Sequence, residues 1–147
     1  MASGKVRWKW RSSATVAQAD FGDPTTATSY ALCLYDGSGL KFSARAPADG
    51  ICGGRPCWRA LHSAGFRFKD SAGTPDGLTR ILLKAGSTGR GKINLRGQGA
   101  NLHTPATPFT TPVRVQFERS GSSVCWDATY STTPIRNDTS GFKGRSD

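Results

Sequence analysis

The chain is poor in the residues that build helices and in those that carry catalysis. It has one glutamate, Glu118, and one methionine, Met1. Without Glu, Met or an Ala-Leu periodicity, a helical bundle or coiled coil is excluded on composition. Histidine occurs twice, at His62 and His103, and neither belongs to a recognisable motif. There is no Gly-x-Ser-x-Gly elbow to expose a serine nucleophile, and a triad would need a base beside its nucleophile. No apolar run approaches the roughly 20 residues of a membrane-spanning helix. No apolar stretch of the signal-peptide kind follows Met1. Negative charge is scarce as well. Ten Asp and Glu face 20 Lys and Arg in 147 residues, a formal charge of +10.

What is present is turn chemistry and alternation. The chain holds 18 glycines and 8 prolines, and its apolar residues recur with a period of two. Val6, Trp8 and Trp10 alternate with Lys5, Arg7, Lys9 and Arg11. Residues 12–28 read as a loop, with Gly22-Asp23-Pro24 as a turn. Residues 30–35 form a nearly continuous apolar run around Cys33, which predicts a central strand buried on both faces. Asp36-Gly37-Ser38-Gly39 is a hairpin turn into a strand with Phe42, Ala44 and Ala46 on one face. A short strand is expected at 58–60 and another at 65–70. Residues 78–85 predict a strand with Leu78, Arg80, Leu82 and Lys84 on one side and Ile81 and Leu83 on the other. Ile93 and Leu95 point inward from the next strand, and Val113, Val115 and Phe117 from the one after a proline-rich loop. Val124 to Tyr130 closes the series. The fold class is therefore all-β: an antiparallel, Ig-like β-sandwich or flattened barrel of about eight to nine short strands, without substantial helix. Residues 1–130 form one domain, and 131–147 read as a basic, polar, flexible tail.

The four cysteines, Cys33, Cys52, Cys57 and Cys125, are an even number in a loop-rich chain, which points to two disulfides. Three pairings are possible. Cys52–Cys57 and Cys33–Cys125 are favoured: the first closes the turn-forming Cys-Gly-Gly-Arg-Pro-Cys loop, and the second is expected to join facing sheets. A zinc site fits poorly, because it needs a second close cysteine pair or histidines. Free thiols are the remaining alternative. Disulfides imply an oxidising compartment, and a chain with no visible signal peptide is then expected to be a fragment of a precursor, a mature form, or exported by another route.

The other chemistry-bearing residues have ordinary explanations. Asp36, Asp70 and Asp76 neighbour glycine or serine, where a carboxylate bonds its own turn. Asp20 and Asp23 are too few oxygen donors for a calcium loop. Gly86-Ser-Thr-Gly89-Arg-Gly91-Lys92 resembles a phosphate-binding loop, but no helix follows it. No residue set indicates a metal or a cofactor. Trp58 and Trp126, beside Cys57 and Cys125, are expected to pack in the core.

The order of segments resembles a widespread bacterial extracellular module of uncharacterised function. The resemblance rests on the basic aromatic first strand at residues 5–10, Gly22-Asp23-Pro24-Thr25, the strand at 30–36 and the Cys52 to Trp58 loop. It continues through Gly65-Phe66-Arg67-Phe68-Lys69-Asp70, Gly73-Thr74-Pro75-Asp76-Gly77, Leu82 to Lys84 and Cys125-Trp126-Asp127-Ala128-Thr129-Tyr130. It implies a β-sandwich within a larger secreted or surface protein and carries no catalytic residue. Such modules have more chain before the first strand, which implies a trimmed fragment.

The strongest functional lead is cationic. Lys5, Arg7, Lys9 and Arg11 form one row; Arg67, Lys69, Arg90, Lys92 and Arg96 extend the candidate set, with Arg80 and Lys84, and Lys41 and Arg45, as further pairs. Rows of cations on a sheet suit phosphates, sulfates or uronates, and interleaved Trp8, Trp10, Phe66 and Phe68 would stack on bases or sugars if they faced outward. The plainer explanation is that the aromatics face the core and the cations form a wet, aggregation-resistant face. Three functions are carried forward: a non-catalytic secreted or surface module with a structural or adhesive role, a module binding acidic polysaccharide or nucleic acid, and a fibre subunit pairing through the edge strand at residues 6–10. An enzyme ranks last.

Overall fold

The computed structural model describes residues 4–147. The strands are β1 (Lys5–Arg11), β2 (Tyr30–Asp36), β3 (Gly39–Ala46), β4 (Ile51–Cys52), β5 (Arg55–Pro56), β6 (Trp58–Ala60) and β7 (Gly65–Lys69). They continue with β8 (Leu78–Lys84), β9 (Lys92–Gln98), β10 (Val113–Arg119), β11 (Cys125–Tyr130), β12 (Arg136–Asp138) and β13 (Gly141–Lys143). One turn of 3-10 helix, Gln18–Phe21, interrupts the first long loop. Two antiparallel sheets make a sandwich: a five-stranded sheet in the order β1-β9-β8-β7-β6 and a four-stranded sheet in the order β11-β10-β2-β3. The remaining four strands form two small ribbons, β4-β5 and β12-β13.

Alternation builds the core. Trp8, Ile93, Leu95, Ile81, Leu83, Phe66, Phe68 and Trp58 are buried from the five-stranded sheet. Tyr30, Leu32, Phe42, Ala44, Val115, Phe117 and Trp126 meet them from the other sheet. The Tyr30 ring lies 5.2 Å from Phe117 and 5.2 Å from Trp58, which joins the layers. Trp58 and Trp126 pack inside, as expected; the Trp126 ring lies 5.1 Å from Phe21 of the 3-10 turn, tilted by 30°. The Tyr30 hydroxyl donates to the Phe21 carbonyl at 2.5 Å, and burial holds the phenol well above its usual pKa. At the open edge, Trp8 Nε1 donates to the Tyr130 hydroxyl (3.0 Å) and Trp10 Nε1 to the Asp127 carbonyl (3.1 Å), tying β1 to β11. At Gly65 an added Cβ would stand 1.8 Å from the Leu83 carbonyl oxygen, so only glycine lets β7 begin its pairing with β8.

Four expectations are corrected. β2 is buried on one face only: Tyr30 and Leu32 point inward, while Ala31, Cys33 and Tyr35 are half-buried on the outside. Leu78 is inside the core rather than beside Arg80, because β8 has an irregularity between Leu78 and Arg80 that shifts the side-chain phase by one residue. Cys33 and Cys125 are free thiols. β10 lies between their strands, with Cys33 opposite Gln116 and Cys125 opposite Glu118. Both therefore sit on the outer face of one sheet, roughly 10 Å apart by strand spacing, beyond the Cα separation a disulfide spans. The Cys52–Cys57 bridge is present and closes the β4-β5 ribbon. The tail, expected to be flexible, folds into the β12-β13 ribbon; Phe142 packs on Phe109 at 5.3 Å, and the Asn137 side chain both donates to and accepts from the Phe109 backbone.

A candidate polyanion-binding face

Strand register decides where the cations go. On β1, β7, β8 and β9 the residues alternating with the buried set are mostly Lys and Arg. Pairing then lines them up across the outer face of the five-stranded sheet. Arg7 is opposite Arg96, Arg96 opposite Arg80, and Arg80 opposite Lys69. This is an unbroken row of four cations over four strands. One step along lie Lys9, Asn94, Leu82, Arg67 and Arg59, a row with a neutral middle. The next row is Arg11, Lys92 and Lys84, and Lys5 stands opposite Gln98 at the other end.

The face thus carries eleven cations: Lys5, Arg7, Lys9, Arg11, Arg59, Arg67, Lys69, Arg80, Lys84, Lys92 and Arg96. None of its five strands contains an Asp or Glu. Ten of the eleven are exposed and Lys92 is half-buried. The ion pairs among the described residues are Arg45–Asp76 (3.4 Å) and Arg114–Asp127 (2.7 Å), and neither includes a cation of this face, although Asp127 and Asp147 line a pocket with Lys9, Arg11 and Lys92. Six direct cross-strand pairs are therefore cation against cation. Each costs a few tenths to about 1 kcal/mol, in a fold whose net stability is of order 5–15 kcal/mol.

Of the residues singled out from sequence, Lys5, Arg7, Lys9, Arg11, Arg67, Lys69, Lys92 and Arg96 are all brought onto this face. Arg90 is not in a row; it lies in the turn after β8, its amide bonded to the Ser87 carbonyl. Arg59 was missed, although its position after buried Trp58 marks it as outward. The aromatics do not join the cations. Trp8, Phe66 and Phe68 are in the core and Trp10 is half-buried against β11, so the face holds no stacking platform.

Beyond the β1 edge the row of four opens onto a cleft of about 1470 Å³. Arg7, Arg80 and Arg96 line it together with Arg136, Lys143 and Arg145 of the tail. Val6, Trp8, Phe109 and Phe142 form its apolar wall, and no carboxylate lines it.

Several acidic residues are held by turns elsewhere. Asp70 is buried and accepts from the Ala72 and Thr74 amides and the Thr74 hydroxyl, holding the turn before β8. Desolvation is the largest single influence on Asp36 and raises its pKa, but the bonds it accepts from the Thr110 amide and from the Ser38 hydroxyl and amide together lower it. Asp20 accepts from the Ala17 amide and Asp23 from the Thr25 amide, so neither carboxylate is held open for calcium. His62 and His103 are exposed loop residues. Among the described residues no helix is long and apolar enough to cross a membrane. No family model, no curated protein and no solved structure matches the chain.

Proposed function

We propose that this is a non-catalytic binding module of a secreted or surface protein, and that the outer face of its five-stranded sheet binds a polyanion. The observation that carries this reading is the concentration of eleven cations on one sheet face with no acid among them. A face that only had to stay wet would be better served by mixed charges, as on the other sheet, because like charges in register work against the fold. A polyanion relieves that repulsion and releases its counterions on binding. The Cys52–Cys57 disulfide favours an oxidising setting. The resemblance of its segment order to bacterial extracellular modules is a further ground for proposing that setting and a larger parent protein.

Assembly through the β1 edge has the weaker support. A second copy pairing there would set its own Lys5, Arg7, Lys9 and Arg11 against the first, and edge cations of this kind oppose pairing. The test of the polyanion reading is a salt titration of binding to fluorescent heparin-like and polyuronate chains. Affinity is expected to fall steeply and linearly on logarithmic axes as salt rises. Salt-indifferent binding, or none at low salt, refutes it.

A further inference from the structure

Resting on the polyanion reading, we infer that the ligand is a single linear acidic polysaccharide lying perpendicular to the strands, along the row Arg7–Arg96–Arg80–Lys69. Three observations support this. Register makes that row unbroken, whereas the adjacent row has Asn94 and Leu82 at its centre. Its cations recur at the strand spacing of ~4.8 Å, close to the advance of an extended sugar chain with one carboxylate per ring. All four cations of the row are exposed, and no acid lies in the strands that carry them.

The face also argues against nucleic acid. Single strands are held by bases stacking on aromatic side chains, and here Trp8, Phe66 and Phe68 are turned into the core. A duplex is read by an element that enters a groove, whereas this surface is the face of a sheet. Uronates need only charge and hydrogen-bond donors, which guanidinium groups supply in a fork. At its Arg7 end the row runs over the β1 edge to the cleft, where Arg136, Lys143 and Arg145 continue the positive track. A chain longer than the row therefore has further cations to meet on the tail ribbon.

The experiment uses the full chain, a ladder of linear oligouronic acids and a DNA duplex of matched charge. Two triple variants each remove three exposed cations: Arg7→Gln/Arg80→Gln/Arg96→Gln from the row, and Lys9→Gln/Arg59→Gln/Arg67→Gln from its neighbour. Thermal melts confirm that both fold. For the wild type, affinity should climb steeply to about four sugar rings, rise again as the tail cations are reached, and exceed that for duplex. The row variant should lose more than ~10-fold and the neighbouring variant less than ~3-fold, by the per-contact logic of counterion release. Equal losses, or no length threshold, overturn the track and leave polyanion binding standing. Tighter binding to duplex overturns the ligand class. No binding by the wild type to any polyanion refutes the reading beneath it.

Discussion

The two sheets are built on the same inward plan and differ on the outside. The five-stranded sheet carries eleven cations and no acids in its strands. The four-stranded sheet carries Lys41, Arg45, Arg114 and Arg119 against Asp36, Glu118 and Asp127, a net of +1 from four minus three. Both ion pairs among the described residues involve the four-stranded sheet, where Arg114 meets Asp127 across a strand and Arg45 reaches Asp76. Two cations of the four-stranded sheet have acid partners within the protein, and none of the eleven on the other sheet is in an ion pair among the described residues. Folding alone explains the first arrangement. It does not explain the second, which opposes folding slightly at every row.

This contrast can be pressed experimentally. The largest stability change is expected at the β6 end of the cationic sheet, where Cys52–Cys57 closes the small ribbon. Replacing both cysteines by serine removes a short-loop constraint of about 2 kcal/mol, so Tm should fall by roughly 4–8 °C. Replacing the free Cys33 and Cys125 of the other sheet by serine should cost less.

Next in size is Arg80→Glu. It converts repulsion from Arg96 and Lys69 into attraction on both sides. The free protein should gain about 1 kcal/mol in urea unfolding while polyanion affinity drops. The counterpart Asp127→Asn breaks the pair with Arg114, in which both side chains are about half exposed (45% and 53%). It should lose only a few tenths of a kcal/mol and leave binding unchanged. Opposite signs on the two sheets would sharpen the comparison; matching signs would break it.

A smaller effect is salt. Raising ionic strength shortens the screening length from about 30 Å at 0.01 M to about 3 Å at 1 M. Urea-unfolding stability of the wild type should therefore rise by up to about 1 kcal/mol, and Arg7→Gln/Arg80→Gln/Arg96→Gln should show less of that rise. Finally, thiol labelling maps the outer face of the four-stranded sheet with no stability change. Exposed Cys125 should alkylate quickly near neutral pH. Cys33 should lag, because burial and then the neighbouring Glu118 push its thiol up and leave less thiolate. Intact mass should show two labels before reduction and four after.

Much of this architecture is legible in the sequence, and its limits are physical. The alternation of Trp8 and Trp10 with Arg7 and Lys9, or of Ile93 and Leu95 with Lys92 and Arg96, states which residues face water. It does not state which strands are neighbours. Arg7, Lys69, Arg80 and Arg96 are spread over ninety positions, and only the order β1-β9-β8-β7 lines them up. The same ignorance of strand order makes Cys33 and Cys125 look like partners, when β10 separates them. Leu78 was misplaced because a strand irregularity has no signature in a Leu-Thr-Arg run. The tail shows no legible pattern because β12 and β13 are three residues each and leave even Phe142 only half-buried.

The most direct measurement is a charge reversal matched between the sheets. Arg7→Glu/Lys9→Glu and Arg45→Glu/Arg114→Glu change net charge equally, so any effect of overall charge cancels. Binding of each to an acidic polysaccharide should be measured at low and at physiological salt. The first variant should bind at least ~10-fold more weakly than the wild type and the second within about twofold, with a shallower salt slope only in the first. Equal weakening of both would show that net charge alone, and no particular face, attracts the ligand.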